Sequence, residues 1–256
     1  MKSTHNKIWI CILAIVVLFA LHACDPAPTP TYLLRATFEN DFLDGHPDKT
    51  LPGDPVGDEL IYGRPMVMSI VPTGYAPTHK SLDFRGGAGP ISFVGKPSSF
   101  VGIMTFKWEG TVVNHWGGPP QYLGWQDVHL TDGYGHIIAR LVIFGSTLYV
   151  KHKNSDPNSP VSGTALYQYL AAPEAPDYHI IEVKTSLTSG VFDLQLIADG
   201  AVHTYEDIPI YEENTSVYST SPRPTIIFHS GSGTGSYEDG YILDNVFISK
   251  LVVVLP

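Results

Sequence analysis

The apolar positions of this chain recur at every second residue, most plainly between Tyr178 and Ile208. Ile181, Val183, Thr185 and Leu187 alternate with Ile180, Glu182, Lys184 and Ser186, a period of two that predicts a half-buried strand. Ser189-Gly190 turns the chain. A second run sets Phe192, Leu194, Leu196 and Ala198 against Val191, Asp193, Gln195 and Ile197, and it stops at Asp199-Gly200, a dipeptide suited to the positive φ angles of a tight hairpin. A third run starts at Ala201. Three antiparallel strands are not stable alone, so their apolar face requires a second sheet to lie against.

The same alternation predicts strands at Leu33 to Glu39, Glu59 to Tyr62, Met66 to Val71, Ser81 to Arg85, Pro90 to Val94 and Ser99 to Val113. A second meander follows, Tyr122 to Leu130, Ile137 to Phe144 and Thr147 to Lys153, joined by Asp132-Gly-Tyr-Gly135 and Gly145-Ser146. Thr225 to His229 and Tyr241 to Val254 complete the set. Asn40 to Asp58 and Asn154 to Gly163 read as loops, and Tyr167 to Ala172 is ambiguous. The 24 glycines and 21 prolines are spread so evenly that no window carries an amphipathic helix, which excludes α/β enzyme folds. No long-period repeat is present. The expected architecture is all-β: one antiparallel β-sandwich of roughly twelve to fifteen strands.

Two stretches carry a resemblance. The meander around FDLQLIADG, and the closing run Tyr241-Ile-Leu-Asp-Asn-Val-Phe-Ile-Ser249, are similar to the concanavalin A-like (laminin-G-like, jelly-roll) sandwiches, whose last strand reads Y-x-(I/L)-D-N-V. The resemblance implies that fold. It does not choose among lectins, glycanases, lyases and adhesion modules. In modules that resemble this one, the acid at Asp244 bonds the first strand or shares a structural calcium with an acid after a phenylalanine, here Phe38-Glu39. The resemblance therefore implies Glu39 and Asp244 as a calcium pair, against a half-buried carboxylate bonded to backbone. The five aspartates of Asn40 to Asp58 also suit calcium, although their spacing is not that of an EF-hand. No pattern requires any other cofactor.

The N-terminus changes the picture. Lys2 and Lys7 precede an apolar run from Ile8 to Ala20, too short for a membrane span, and Leu21-His22-Ala23-Cys24 follows. This tetrad resembles the bacterial lipobox, with Leu21, Ala23 and Cys24 matching and His22 departing from the pattern. The expectation is a lipoprotein signal peptide at 1–23, a lipidated Cys24 with a Pro-rich tether at 24–31, and a β-sandwich domain at 32–256. Cys11 leaves with the leader and Cys24 carries lipid, so no disulfide supports the fold. The formal net charge of −10 becomes −12 once Lys2 and Lys7 are removed. Phosphate backbones are repelled by such a body, which excludes nucleic acid and leaves acyl chains as the membrane attachment. The expected location is the bacterial cell envelope, at the outer membrane.

Candidate chemistry lies in the middle meander. If Val128 and Leu130 face the core, Trp125, Asp127 and His129 stand in a row on the other face, and Tyr149 extends the row from the third strand. An indole, a carboxylate and an imidazole suit a sugar: the ring stacks on the C–H face and the polar groups bond hydroxyls. Trp116, beside Gly117 and Gly118, adds a rim. The competing reading puts Trp125 inside, as a sandwich of this size needs large aromatics in its core. The nine histidines after the leader show no HxH or HExxH spacing, so zinc would need distant strands to converge. The E-x-D-x-x-E of laminarinase-type relatives is absent, and no G-x-S-x-G sits in a strand-turn-helix setting. The expected function is carbohydrate binding by a lipid-anchored envelope protein. A structural or adhesion module binding a protein partner is the alternative, and a glycan hydrolase or lyase a weaker one.

Overall fold

A computed structural model describes residues 30–38, 59–62, 68–72, 80–85, 90–99, 102–114, 125–144, 147–168, 178–231 and 239–251. All but Pro30 belong to the unit that starts at Thr31. Among the described residues there are fifteen strands, in chain order β1 (Thr31–Ala36), β2 (Glu59–Tyr62), β3 (Met68–Pro72), β4 (Lys80–Arg85), β5 (Ile91–Val94), β6 (Ile103–Asn114), β7 (Trp125–Thr131), β8 (Ile137–Phe144), β9 (Thr147–Lys151), β10 (Thr164–Gln168), β11 (His179–Ser186), β12 (Val191–Ala198), β13 (Ala201–Pro209), β14 (Thr225–Gly231) and β15 (Asp239–Leu251). One short 3-10 turn, Thr215–Val217, interrupts the loop before β14.

They form two antiparallel sheets. The eight-stranded sheet runs β13-β12-β11-β6-β15-β4-β3, with β1 also on β15; the seven-stranded sheet runs β10-β9-β8-β7-β14-β5-β2. The fold is the antiparallel β-sandwich that the alternation predicts. Inward residues of both sheets, among them Phe106, Trp108, Val183 and Leu194 on one side and Phe93, Leu130, Leu141 and Phe228 on the other, are buried in one core. Phe228 meets Trp108 and Phe93 edge-on, each with ring centroids 5.8 Å apart. The Trp108 contact joins the two sheets and the Phe93 contact links neighbouring strands of one, and each contributes about 0.5–1.5 kcal/mol beyond the area it buries.

The Asp-Asn-Val run explains itself in β15. Against β6, Asp244 pairs Glu109 but Phe247 pairs Lys107, so Asn245 and Val246 together oppose Trp108 in a bulge. Asn245 takes φ +49°, a left-handed conformation that asparagine tolerates. Its backbone N–H donates to Asp244 Oδ1 at 2.7 Å and its side-chain amide donates to Glu109 Oε2 at 3.1 Å. At this bulge β15 also exchanges neighbours: β4 pairs with Gly240–Leu243, and β1 with Val246–Lys250.

One of the two turns of the β11–β13 meander differs in detail from expectation. Asp199 and Gly200 both have positive φ, as a two-residue hairpin requires. The turn before β12 is longer: Leu187 leaves the strand but stays buried, and the Ser189 N–H donates to the Ser186 carbonyl at 2.9 Å. β10 appears where the sequence pattern was weakest. It lies at the edge of its sheet and is held by side chains of the other: the Tyr205 hydroxyl donates to the Leu166 carbonyl at 2.8 Å, and the Tyr167 hydroxyl donates to the Asp199 carboxylate.

Asp132 fixes the end of the β7–β8 hairpin. Its Oδ1 accepts from the N–H groups of Tyr134 (2.8 Å) and His136 (3.2 Å), while Oδ2 accepts from Ser219 N–H (3.2 Å) and lies 3.0 Å from His136 Nδ1. The Asp132 carbonyl also accepts from Arg223 N–H at 3.0 Å. One fully buried aspartate thus pins the hairpin to the loop before β14.

Candidate functional site

β7 lies between β14 and β8, and alternation along it sends Val128 and Leu130 into the core. Asp127 and His129 therefore belong to the opposite face. On that face Asp127 is flanked by His229 and Val142, with Tyr149 next across the sheet; His129 is flanked by Ile227 and Arg140, with Lys151 next. The register thus brings Asp127, His129 and Tyr149 together as expected. Trp125 starts the strand opposite Gly231, and its description ends at the backbone. Trp116, Glu39 and Cys24 lie outside the described residues.

Asp127 is not left to solvent; it is 6% exposed. Arg140 Nε donates to both carboxylate oxygens, at 2.9 and 3.1 Å, and Nη2 donates to Oδ2. His129 Nε2 lies 3.0 Å from Oδ1, off the line of a hydrogen bond. Burial pushes the Asp127 carboxyl upward, but His129 and Arg140 outweigh it and bring it down to about 2. For Arg140, burial acts downward and is overcome by Asp127, with Tyr211 adding to the same side. Asp127 therefore stays ionised and cannot supply the proton that a general acid needs at neutral pH.

Lys151 is 1% exposed, and its ammonium donates to the carbonyls of Asp156 (3.0 Å) and Ser159 (2.5 Å). Arg140 Nη2 reaches the Pro157 carbonyl at 3.4 Å. The loop after β9 thus lies over the β8–β9 part of this face, and burial lowers the Lys151 pKa. On the other flank the His129 and His229 rings are 4.5 Å apart at 48°, and both are half-buried. Burial holds His229 below the usual histidine range, with His129 and Arg140 acting the same way and Asp127 opposing.

Sequence reasoning missed Arg140, Lys151 and His229. The charged residues did leave a signal, each standing at an outward position of an otherwise apolar strand. The meeting of His229 with Asp127 depends on strand order, which local pattern does not carry. Asp244 is 4% exposed and accepts from Asn245 N–H, in keeping with the backbone-bonding reading. Among the described residues, no group of three or more His, Cys, Asp or Glu side chains is arranged to hold a metal ion.

No protein-family model matches the chain, and no curated protein matches it in sequence. Solved structures do match. The catalytic domain of the glycoside hydrolase family 131 protein from Coprinopsis cinerea aligns with 87% of this chain and 95% of its own, at 10% identity and a TM-score of 0.55. Lectin II from Ulex europaeus aligns with 86% of this chain and 100% of its own, at 8% identity and a TM-score of 0.52. The binding domain of Paraclostridial Mosquitocidal Protein 1 aligns with 87% of this chain at 12% identity and a TM-score of 0.50, and the chain spans about half of that structure, 49%. At such identities these are likenesses of fold.

Proposed function

We propose that this protein is a lipid-anchored component of the bacterial cell envelope, at the outer membrane, whose sandwich binds carbohydrate on the outer face of the seven-stranded sheet. The observation that carries the reading is the row on that face: an Asp127 ionised at neutral pH, the half-buried imidazole of His129 and, two strands across, the half-buried phenol ring of Tyr149. Aromatic faces beside fixed polar groups match the alternating C–H and hydroxyl surfaces of a sugar. Trp125 begins the same strand, and Trp116 is assigned to the rim. The fold is compatible, being shared with a plant lectin and a glycoside hydrolase domain. Attachment through acyl chains on Cys24 rests on the Leu21-His22-Ala23-Cys24 tetrad, and a structural calcium between Glu39 and Asp244 on the resemblance to jelly-roll modules.

A glycan array probed with full-length, detergent-solubilised protein tests the binding. Wild type is expected to retain a restricted set of glycans, and Trp125→Ala and Tyr149→Ala to weaken them by at least about tenfold. A silent array would favour a protein partner, and unchanged retention by both variants would move the site elsewhere.

A further inference from the structure

The sequence holds one Asn-x-Ser/Thr triplet, Asn214-Thr215-Ser216, the acceptor pattern of N-glycosylation. Such triplets also arise by chance, and what separates an acceptor from a coincidence is whether the carboxamide nitrogen can be reached and is free to react. Here both conditions are met. The triplet lies in the loop between β13 and β14, and all three of its residues are exposed. Glu213, at φ +56°, turns the chain immediately before it.

The carboxamide is arranged for the chemistry. Its Oδ1 accepts from the Ser216 N–H at 3.0 Å and from the Ser216 hydroxyl at 2.8 Å. Nδ2 keeps both its hydrogens unspent among the described residues. Asn245 is the contrast, since its amide nitrogen donates to Glu109 Oε2. An amide nitrogen is a poor nucleophile because its lone pair is delocalised onto the carbonyl oxygen. Two donors on that oxygen stabilise negative charge there, so Nδ2 gives up a proton more readily as a new bond forms. The hydroxyl at the third position supplies one of them, and alanine has none to supply.

We propose that Asn214 is N-glycosylated on the exported side of the membrane, by a membrane-bound transferase that uses a lipid-diphosphate-linked oligosaccharide. A bond forms between Nδ2 and the anomeric carbon of the sugar. The bond from that carbon to the diphosphate breaks, its electron pair leaves on the diphosphate oxygen, and the amide proton passes to a base of the transferase. Nothing is oxidised or reduced. The proposal requires export of the body, which the leader at 1–23 predicts, and is independent of what the seven-stranded sheet binds.

The loop presents the triplet as a fixed element of the folded protein. Before it, the Tyr211 N–H donates to the Ile138 carbonyl at 2.8 Å and Glu212 pairs with Lys153 at 2.9 Å. After it, the Tyr218 hydroxyl donates to the Ile137 carbonyl at 2.8 Å, and the Ser219 N–H donates to Asp132 at 3.2 Å. No residue of the triplet belongs to the core, so a glycan on Asn214 displaces nothing that holds the sheets together.

The test is mass spectrometry of the full-length protein isolated from the envelope of its own cells. The proteolytic peptide that carries Asn214 is expected to be heavier by a whole number of sugar residues, with fragmentation placing them on Asn214. Asn214→Gln and Ser216→Ala should lose the increment entirely, and Ser216→Thr, which restores the hydroxyl, should keep it. An unmodified Asn214 peptide in wild type overturns the proposal, as does an increment that survives Ser216→Ala. Should a variant fail to accumulate, the wild-type peptide decides by itself. The N-terminal peptide of the same digest keeps two failures apart: lipid on Cys24 beside a bare Asn214 removes the glycosylation and leaves the anchor standing, and an uncleaved leader beside a bare Asn214 removes both.

Discussion

Arg140 on β8 grips Asp127 on β7 through both carboxylate oxygens, across 13 residues of sequence and one diagonal step of register. Both groups are buried, and this decides what their removal does. Arg140→Ala leaves a carboxylate stranded in a place of low polarity and is expected to cost about 3–5 kcal/mol in chemical denaturation. Replacing both with apolar residues of similar volume is expected to cost much less, because no charge is abandoned.

The same pair predicts an acid limb of stability. The folded Asp127 carboxyl sits at about 2, below its unfolded value near 4. Its contribution, roughly 2 kcal/mol, is full above the unfolded value and is lost as pH falls from about 4 towards about 2. Thermal melts should show this fall in wild type and a shallower one in Asp127→Asn.

Asp132 should also be costly to replace by alanine. Its carboxyl is pushed up by burial and held down more strongly by the His136 ring and the N–H groups of Tyr134, Ser219 and His136, so its contribution too is present above the carboxylate range and lost below it. Asp132→Ala is expected to cost about 2–4 kcal/mol and to loosen the 215–224 loop, seen as faster amide exchange at Ser219 and Arg223. Asp132→Asn keeps one acceptor and should cost less.

Gly110 on β6 has no room for a side chain. A Cβ there would lie 2.6 Å from the Ile242 carbonyl oxygen and 2.6 Å from the Tyr241 ring. Tyr241 is itself buried and its hydroxyl meets His179 Nε2, so it cannot retreat. Gly110→Ala should lower stability by about 1–3 kcal/mol in urea unfolding. Gly190→Ala, with open space around its Cβ but φ +72°, should cost only about 1 kcal/mol, from backbone strain.

Lipidation makes a separate prediction. Cys24→Ala should abolish labelling by fatty acid and move the protein from the detergent phase to the aqueous phase on phase separation. Partition unchanged by the substitution would remove the anchor.

How much of this could be read from the chain follows from how far each signal reaches. The β11–β13 meander was legible because its alternation and its Asp199-Gly200 turn are local, and the burial along those strands follows the alternation. Asp127 and His129 were placed on one face by parity alone. His229 was not, since β14 comes to stand beside β7 through a connection of more than eighty residues; Arg140 lay within reach of the predicted hairpin, but its pairing with Asp127 needs the exact register, which the turn sequence alone does not fix. β10 escaped because an edge strand exposed on both faces loses its period of two. The long turn at Leu187 was hidden because a buried leucine looks the same at a strand end as in the strand.

The place of β15 has a consequence for how the molecule comes into being. It is an inner strand of the larger sheet, with β6 on one flank and β4 and β1 sharing the other. The first and the last of the described strands, β1 and β15, are thus hydrogen-bonded neighbours, and the larger sheet cannot close until β15 has been synthesised. Such late, distant closure makes folding slow, because the loop between the partners must be closed before their pairing stabilises anything.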